Sequence, residues 1–399
     1  MKWAPNPYAI AQVLTDRTDL AEFDDEDGAK VDALLTEAFG RDAKEDKVAA
    51  ALRFYEEVSD LVDRPMALAQ AVELIKNRIP GQDLEKLLPF LPFLVPISNT
   101  SFEAIGGQQT AWQKDVDQIT VGQATFLDPV QGAVGDCFLI SAIIALAWSN
   151  PKVLETSLLL ARGSSAGPFE WQFYDDDGRP SAKQITSRRI HMKGKLPIYA
   201  RSSSLAEHWP ALIEKTYVMM SRPGGSTAQE PDAADYQLID NTTVSADIRQ
   251  RTPQRACQAL FGGNNAVPAR LDGEASDRAL LSPGNNVTLV NEAGVTKFPV
   301  MAWSKKDIGS TDPLTWEQTG IFRNHAYAVL GTTASNHIVL RNPHGMATRV
   351  RNGYQEGTWN PAGRVPVVLN RKGVFAISSD LFFKYFDNLG WLILQPPEA

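Results

Sequence analysis

Three residues of this chain have types and settings that suit thiol chemistry: Cys137, His325 and Asn342. Cys137 is one of only two cysteines, in the run Gln131-Gly132-Ala133-Val134-Gly135-Asp136-Cys137-Phe138-Leu139-Ile140. Gly135 and Asp136 precede an apolar stretch, so the thiol belongs at a helix N-terminus. The dipole and free N–H groups there lower a thiol's pKa. A helix-start cysteine before an apolar run is, by itself, usually a core residue. Gln131, six residues upstream, carries an amide that can donate to an oxyanion beside the Cys137 backbone N–H.

A base and an orienting group come from the other end of the chain. His325 to Gly331 and Asn336 to Asn342 read as two strands, with Thr332, Thr333, Ala334 and Ser335 as the hairpin loop between them. In a simple hairpin centred on that loop, His325 lies directly opposite Asn342. Side chains so placed are within hydrogen-bonding reach. An asparagine carbonyl that accepts from one imidazole nitrogen leaves the other for a thiol, which is a Cys-His-Asn nucleophile–base–orienter set. The remaining histidines are weaker candidates. His337 faces the other side of its strand, His344 is a neighbour of the site, and His191 and His208 have no evident orienting partner.

These residues need a scaffold. Cys137 to Ser149 is apolar on nearly every face, as a centrally buried helix is. Phe169 to Tyr174 alternates and then turns at Asp175-Asp176-Asp177-Gly178, a hairpin turn rather than a calcium loop. Trp209 to Met220 reads as a helix, followed by the loop Pro223-Gly224-Gly225-Ser226. Strand signals follow at Val287–Val290, Ala326–Gly331, His337–Arg341, Val367–Leu369 and Gly373–Ile377. Residues 1 to about 88 read as amphipathic helices, including one with Val48, Leu52, Tyr55 and Val62 on its apolar face, and one from Met66 to Ile79 closed by Pro80-Gly81. Pro89-Phe90-Leu91-Pro92-Phe93-Leu94-Val95-Pro96 cannot be a regular helix or a central strand. It is expected to lie extended on the body of the protein as a hinge or a cleft-blocking strap. The fold class expected is α+β, in three parts: residues 1–100, 101–232 and 233–399.

Composition sets outer limits. The chain has 399 residues, 43% hydrophobic and 22% charged, with a net charge of −8. That describes a globular protein with a sizeable core and disfavours a nucleic-acid partner. Two cysteines build neither a disulfide framework nor a zinc quartet, which fits a reducing compartment. No apolar leader core and no apolar run of membrane-spanning length is seen, so a leaderless or cytoplasmic protein with no membrane partner is expected.

The motifs together resemble the calpain-type catalytic core of the papain-like cysteine proteases. Gln131 to Ile140 is similar to that family's Q-G-x-x-G-D-C-[WF]-L signature. Asn324 to Val329 resembles its H-A-Y-x-V strand, and Leu340 to Gly345 its L-R-N-P-[W]-G strand and turn. Trp209 to Tyr217 resembles the W-x-x-L-[IL]-E-K-A-Y helix, Gly224 to Thr227 the loop after it, and Phe375 to Phe386 the closing strand and helix. The order matches over about 105–395. The resemblance implies a two-lobed papain-like fold. A helical lobe would hold Cys137 as nucleophile and Gln131 as oxyanion donor. An antiparallel-sheet lobe would hold His325 as general acid/base and Asn342 as orienter. It implies hydrolysis of internal peptide bonds of protein substrates. The N-terminal helices fall outside the resemblance, as a regulatory or pro-domain or as a passive support.

The chain departs from the family pattern at Phe138 and His344, each in place of a tryptophan. Calcium is a further expectation from the resemblance. Asp128 and Glu207 match the family's helical-lobe ligands. The segment Met346 to Asn352 carries Arg349 and Arg351 where acidic residues are usual. At most one calcium ion is therefore expected, in the helical lobe, with no cofactor strictly required. Two other classes compete: a catalytically silent binding protein on a protease fold, which would be expected to have lost one of Gln131, Cys137, His325 and Asn342, and a transglutaminase-like acyl transferase.

Overall fold

The most apolar run of the chain becomes its central helix. In the computed structural model, α1 (Cys137–Ser149) is buried from Cys137 through Trp148. A helix apolar all round must be enclosed, and this one is. It lies against two long strands, β9 (Val295–Ser304) and β10 (Ala326–Thr332), and is flanked by α2 (Pro151–Arg162) and α4 (Pro253–Phe261). The Trp148 indole N–H donates to the Leu330 carbonyl at 2.6 Å, which ties the C-terminal end of α1 to β10. The third helix, α3 (Trp209–Met220), starts with Pro210 in its first turn, where no backbone N–H is needed.

The structure describes residues 110–394, apart from 114–118, 121–122, 133, 163–166, 194–195, 198, 204–206, 223–229, 232–234, 237, 241–251, 264, 284–287, 309–318, 346–351 and 371. The helices expected before residue 100, the proline-rich segment 89–96, the loop at 223–226 and the arginine-bearing stretch 346–351 lie outside the described residues.

Seven antiparallel strands form the main sheet. Its order is β12 (Tyr354–Gln355), β15 (Val374–Ser378), β11 (His337–Arg341), β10, β9, β16 (Phe386–Ile393) and β8 (Asn265–Arg270). Both faces of the central strands β10, β11 and β15 are buried, and their side chains alternate between two cores. Ala328, Leu330, Val339, Val374, Ala376 and Met301 join α1 in one core. Tyr327, Val329, Ile338, Leu340, Phe375 and Ile377 join Phe382 and Phe386 in the other. A strand with two buried faces reads as an unbroken apolar run, which is why Ala326 to Leu330 shows no polar alternation. The second core is closed by α6 (Ser379–Tyr385), whose Ser378 cap accepts from the Leu381 N–H; α5 (Ala275–Leu280) is tied to α6 by Arg278, which donates to Asp380 at 2.7 Å.

The mixed helix and sheet content agrees with the expected α+β class, but the split at residue 232 is not a split between helix and sheet. Short paired strands occur early in the chain: β1 (Thr110–Gln113) with β5 (Ile190–Lys193) and β6 (Leu196–Pro197), β2 (Pro129–Val130) with β7 (Arg201–Ser202), and β3 (Phe169–Tyr174) with β4 (Pro180–Thr186). A further pair, β13 (Thr358–Trp359) with β14 (Val367–Val368), lies in the second half. Conversely α4, from the second half, packs on α1 and β3, because Ala256, Cys257 and Leu260 form an apolar stripe that fits that core. The strand expected over Val287–Val290 reduces, among the described residues, to a single bridge between Val290 and Thr296.

Candidate active site

Cys137 is the first residue of α1, as its sequence setting indicates. Its Sγ accepts a hydrogen bond from the Ala326 N–H at 3.4 Å. Ala326 opens β10, and the residue before it is His325. The thiol therefore sits against the start of the strand that follows the imidazole. Asn324 takes a left-handed conformation, φ +48°, which an asparagine tolerates. That bend delivers His325 to the strand start.

The His325 ring nitrogen Nε2 lies 2.9 Å from Asn342 Oδ1. The same oxygen accepts the His344 backbone N–H at 3.0 Å. Asn342 itself is fixed by its backbone N–H donating to the Gly373 carbonyl at 2.8 Å. Gly373 has φ +80°, and a Cβ there would stand 2.7 Å from the Asn342 carbonyl oxygen, so only glycine fits behind the asparagine.

The hairpin that brings His325 and Asn342 together differs from the one the sequence suggests. The ladder pairs Ala328 with Arg341 and Val329 with Leu340, and shifts at a bulge before Gly331 pairs with Val339. The turn is Thr333 to Asn336, with Asn336 at φ +60°, so Thr332 belongs to the strand and the register moves by two residues. Continued past its end, this register sets His325 across from His344 rather than Asn342. The asparagine reaches the imidazole diagonally, and the two imidazoles stack, 4.4 Å between centroids and 27° between planes.

The segment that leads to Cys137 is fastened to the segment that carries Asn342. The Gln131 N–H donates to the Pro343 carbonyl at 2.9 Å. The Arg341 guanidinium donates to the Leu127 carbonyl at 2.9 Å. On another side the same segment passes close to Tyr199, where a Cβ on Gly132 would fall 2.1 Å from the Tyr199 carbonyl oxygen. Gln131 is fully buried, and its amide donates to the Val134 carbonyl at 2.7 Å. One of its two amide protons thus braces the turn into α1, and the second remains for another acceptor.

Burial dominates the electrostatics. The Cys137 thiol is pushed up to about 12, first by burial, against the helping Ala326 N–H, with the Asp136 charge adding to the rise. The expected lowering by the helix N-terminus is therefore outweighed. His325 is held down at about 4 by burial, with Asn342 pulling the other way. In this arrangement thiol and imidazole are both uncharged at neutral pH. Beside them, Asp136 is raised to about 7 by burial, and the buried Glu214, whose carboxylate accepts the Ala200 N–H, is held well above the usual carboxylate range by burial and by Asp136.

The two carboxylates matched to calcium lie at the corner made by β2 and β7. Asp128 accepts from the Thr125 N–H at 2.6 Å and the Thr125 hydroxyl at 2.9 Å, and the charge of Arg341 bears on it. Glu207 accepts the Ser202 hydroxyl at 3.2 Å. As placed, Asp128 braces the loop before Gln131 and Glu207 holds Ser202 of β7, and a cation would have to displace these donors. Among the described residues no group of three His, Cys, Asp or Glu side chains converges as a metal site.

Sequence reasoning missed three residues that hold His325. The Ser304 hydroxyl accepts the His325 N–H at 3.0 Å. Phe322 sets its ring edge-on to both His325 and His344, at 5.7 and 5.0 Å. The Tyr327 hydroxyl accepts the Phe322 N–H at 2.8 Å, and its ring lies edge-on to His325 at 4.9 Å. Tyr327 was accessible from the sequence, since residues two apart on a strand share a face. Ser304 and Phe322 come from segments with no local signal. His337 is at the far end of the hairpin beside Ser335, and Cys257 is buried within α4. His208 precedes α3, and its protonation is suppressed to about 4 by burial. His191 is in β5.

Comparison with known proteins bears on the family of the chain. The family model described as calpain family cysteine protease matches residues 108–390. A thiol protease of Porphyromonas gingivalis is 28% identical over 246 residues, covering 56% of this chain and 45% of that protein. The human calpain-2 catalytic subunit is 30% identical over 172 residues, covering 40% of this chain and 24% of the subunit. Rat calpain-8 is 31% identical over 137 residues, covering 31% and 19%. The chain thus spans less than half the length of these relatives.

Proposed function

The chain belongs to the calpain family of cysteine proteases, and from that premise we propose that it is an endopeptidase that cleaves internal peptide bonds of protein substrates. The proposed reaction runs through a thioester acyl-enzyme on Cys137. His325 takes the thiol proton as Sγ adds to the scissile carbonyl. The oxyanion is met by the Cys137 backbone N–H and the free amide proton of Gln131. His325 then protonates the departing amine and activates the water that releases the acid product. Asn342 holds the imidazole so that Nδ1 is left for the thiol. The observation that carries this reading is the 2.9 Å contact between His325 and Asn342, with the thiol hydrogen-bonded to the residue that follows His325.

The fold is read as two lobes divided near residue 232, behind a separate region over 1–100. Support comes from the provenance of the site: Gln131 and Cys137 precede the division, and His325 and Asn342 follow it. With Cys137 only 4% exposed, the arrangement is a resting one, and the cleft must open for a peptide to reach the thiol.

The test is incubation of the full chain with casein, with and without a thiol alkylator. Cleavage that alkylation abolishes supports the proposal. No turnover favours a silent binding protein, and amine incorporation without cleavage favours an acyl transferase.

A further inference from the structure

Arg341 stands just before the orienting asparagine and is wholly buried. A guanidinium in that setting is costly, because it gives up water and needs partners for its N–H groups. Here only one nitrogen bonds: Nη2 donates to the Leu127 carbonyl at 2.9 Å. Nε and Nη1 meet no partner among the described residues. Burial lowers the pKa of the group to about 9, against the help of the Asp128 charge. An apolar side chain would fill the position without that cost, as Val339 and Leu340 do beside it on β11. Stability therefore does not account for an arginine here, and the explanation lies in what its one bond holds.

That bond lands four residues before Gln131. The Gln131 N–H returns to the Pro343 carbonyl at 2.9 Å, two residues past Arg341. Together the two bonds close a clasp between residues 127–131 and the strand end 341–343. On its other edge the segment is held by β7 and the residue after it. The Ser203 N–H donates to the Asp128 carbonyl at 2.7 Å, and Val130 pairs with Arg201. Held between these supports, Gln131 aims its amide at the Val134 carbonyl in the turn into α1. Resting on the proteolytic reading, we propose that Arg341 is a positioning residue for the reaction: by tying Leu127 to the strand end that bears Asn342, it sets the place of the Gln131 amide relative to Cys137 and His325. An oxyanion donor has to stand ready before charge develops. A segment free to shift therefore loses transition-state stabilisation rather than substrate affinity.

The test is a double-mutant cycle on the full chain, with kcat and KM measured on casein-derived peptides. Arg341→Met, which keeps the length and loses the bond, is expected to lower kcat about tenfold or more with KM little changed. Arg341→Lys keeps a charge and a donor without the planar fork, and is expected to lose only about threefold. In a Gln131→Ala background Arg341→Met is expected to cost less than about twofold, because the group it positions is gone. Should Arg341→Met fail to fold, Arg341→Lys is carried through the same cycle. An unchanged kcat, or a loss of the same factor in both backgrounds as a general packing role predicts, would overturn the proposal. Native-state hydrogen exchange separates the proposal from the proteolytic reading. The Gln131 amide is expected to exchange about tenfold faster in Arg341→Met. Faster exchange in a chain that cleaves no casein leaves the clasp standing while the proteolytic reading falls. Unchanged exchange in an active chain overturns the clasp alone.

Discussion

The backbone N–H of Ala326 donates to Cys137 Sγ at 3.4 Å across 189 residues of chain. This bond registers the start of the central helix against the start of the central strand. It also leaves the thiol in a dry environment, where burial raises it to about 12. The thiolate is the reactive form. Alkylation of Cys137 by iodoacetamide is therefore expected to be slow at pH 7, and to climb about tenfold per pH unit between pH 7 and 9. A rate that is already at its plateau at pH 7 would show a preformed thiolate instead.

The His325–Asn342 contact predicts a graded pair of defects. His325→Ala is expected to lose about a thousandfold or more in kcat/KM, as removal of a triad base does. Asn342→Ala is expected to lose roughly ten- to a hundredfold, since the ring keeps its Phe322 and Tyr327 neighbours. His337→Ala is expected to match wild type, because its ring bonds only within the hairpin turn at Ser335. Steady-state kinetics on casein-derived peptides measures all three.

The site was more legible than the sheet around it. Cys137 and Trp209 were placed at their helix starts because Asp136 and Pro210 mark those boundaries locally. The pairing of His325 with Asn342 was reached through a register that is off by two, because the bulge at Gly331 and the left-handed Asn336 are tertiary choices with weak local signals. Strand β9 was missed altogether. It contains Pro299, which normally argues against an inner strand. Here the β10 ladder passes from Val300 to Val295, and the β16 ladder ends at Val300, so the missing N–H falls where no partner needs it. Strands β8 and β16 lack clean alternation, since their partners rather than their own patterns decide which face is covered.

Stability should show two opposed pH slopes. Burial depresses His325 and His208 to about 4, and His344 well below the usual 6.5. The unfolded chain then binds more protons than the native one below pH 6.5, so stability is present above that pH and is lost as pH falls toward 4. For His325 alone this is on the order of 3 kcal/mol. Asp136 is raised from 3.8 to about 7 by burial. Its contribution is present below about pH 4 and is lost as pH rises through 7. Urea midpoints measured from pH 4 to 8 are expected to fall less steeply on the acid side in His208→Gln, and less steeply toward neutrality in Asp136→Asn. Parallel curves for variants and wild type would contradict these assignments.

Calcium is expected to matter little. Asp128 already accepts two hydrogen bonds from Thr125, Glu207 accepts one from Ser202, and Arg341 supplies positive charge beside Asp128. A calcium ion asks for about six to eight oxygens. Casein cleavage is expected to survive chelator nearly unchanged, and calorimetric titration to find at most one ion, lost in Asp128→Asn. A steep, cooperative calcium requirement with two ions bound would refute this expectation.

The central claim is that Cys137 is the nucleophile, and stoichiometric labelling measured against activity tests it most directly. Full-length protein is treated with a peptidyl electrophile, the adduct is located by peptide mass mapping, and casein cleavage is followed on the same samples. One adduct at Cys137, activity falling in step with it, a folded but inactive Cys137→Ser, and an active Cys257→Ser are the predicted results. Cleavage that persists with Cys137 fully labelled, or that disappears equally in Cys257→Ser, would contradict the assignment.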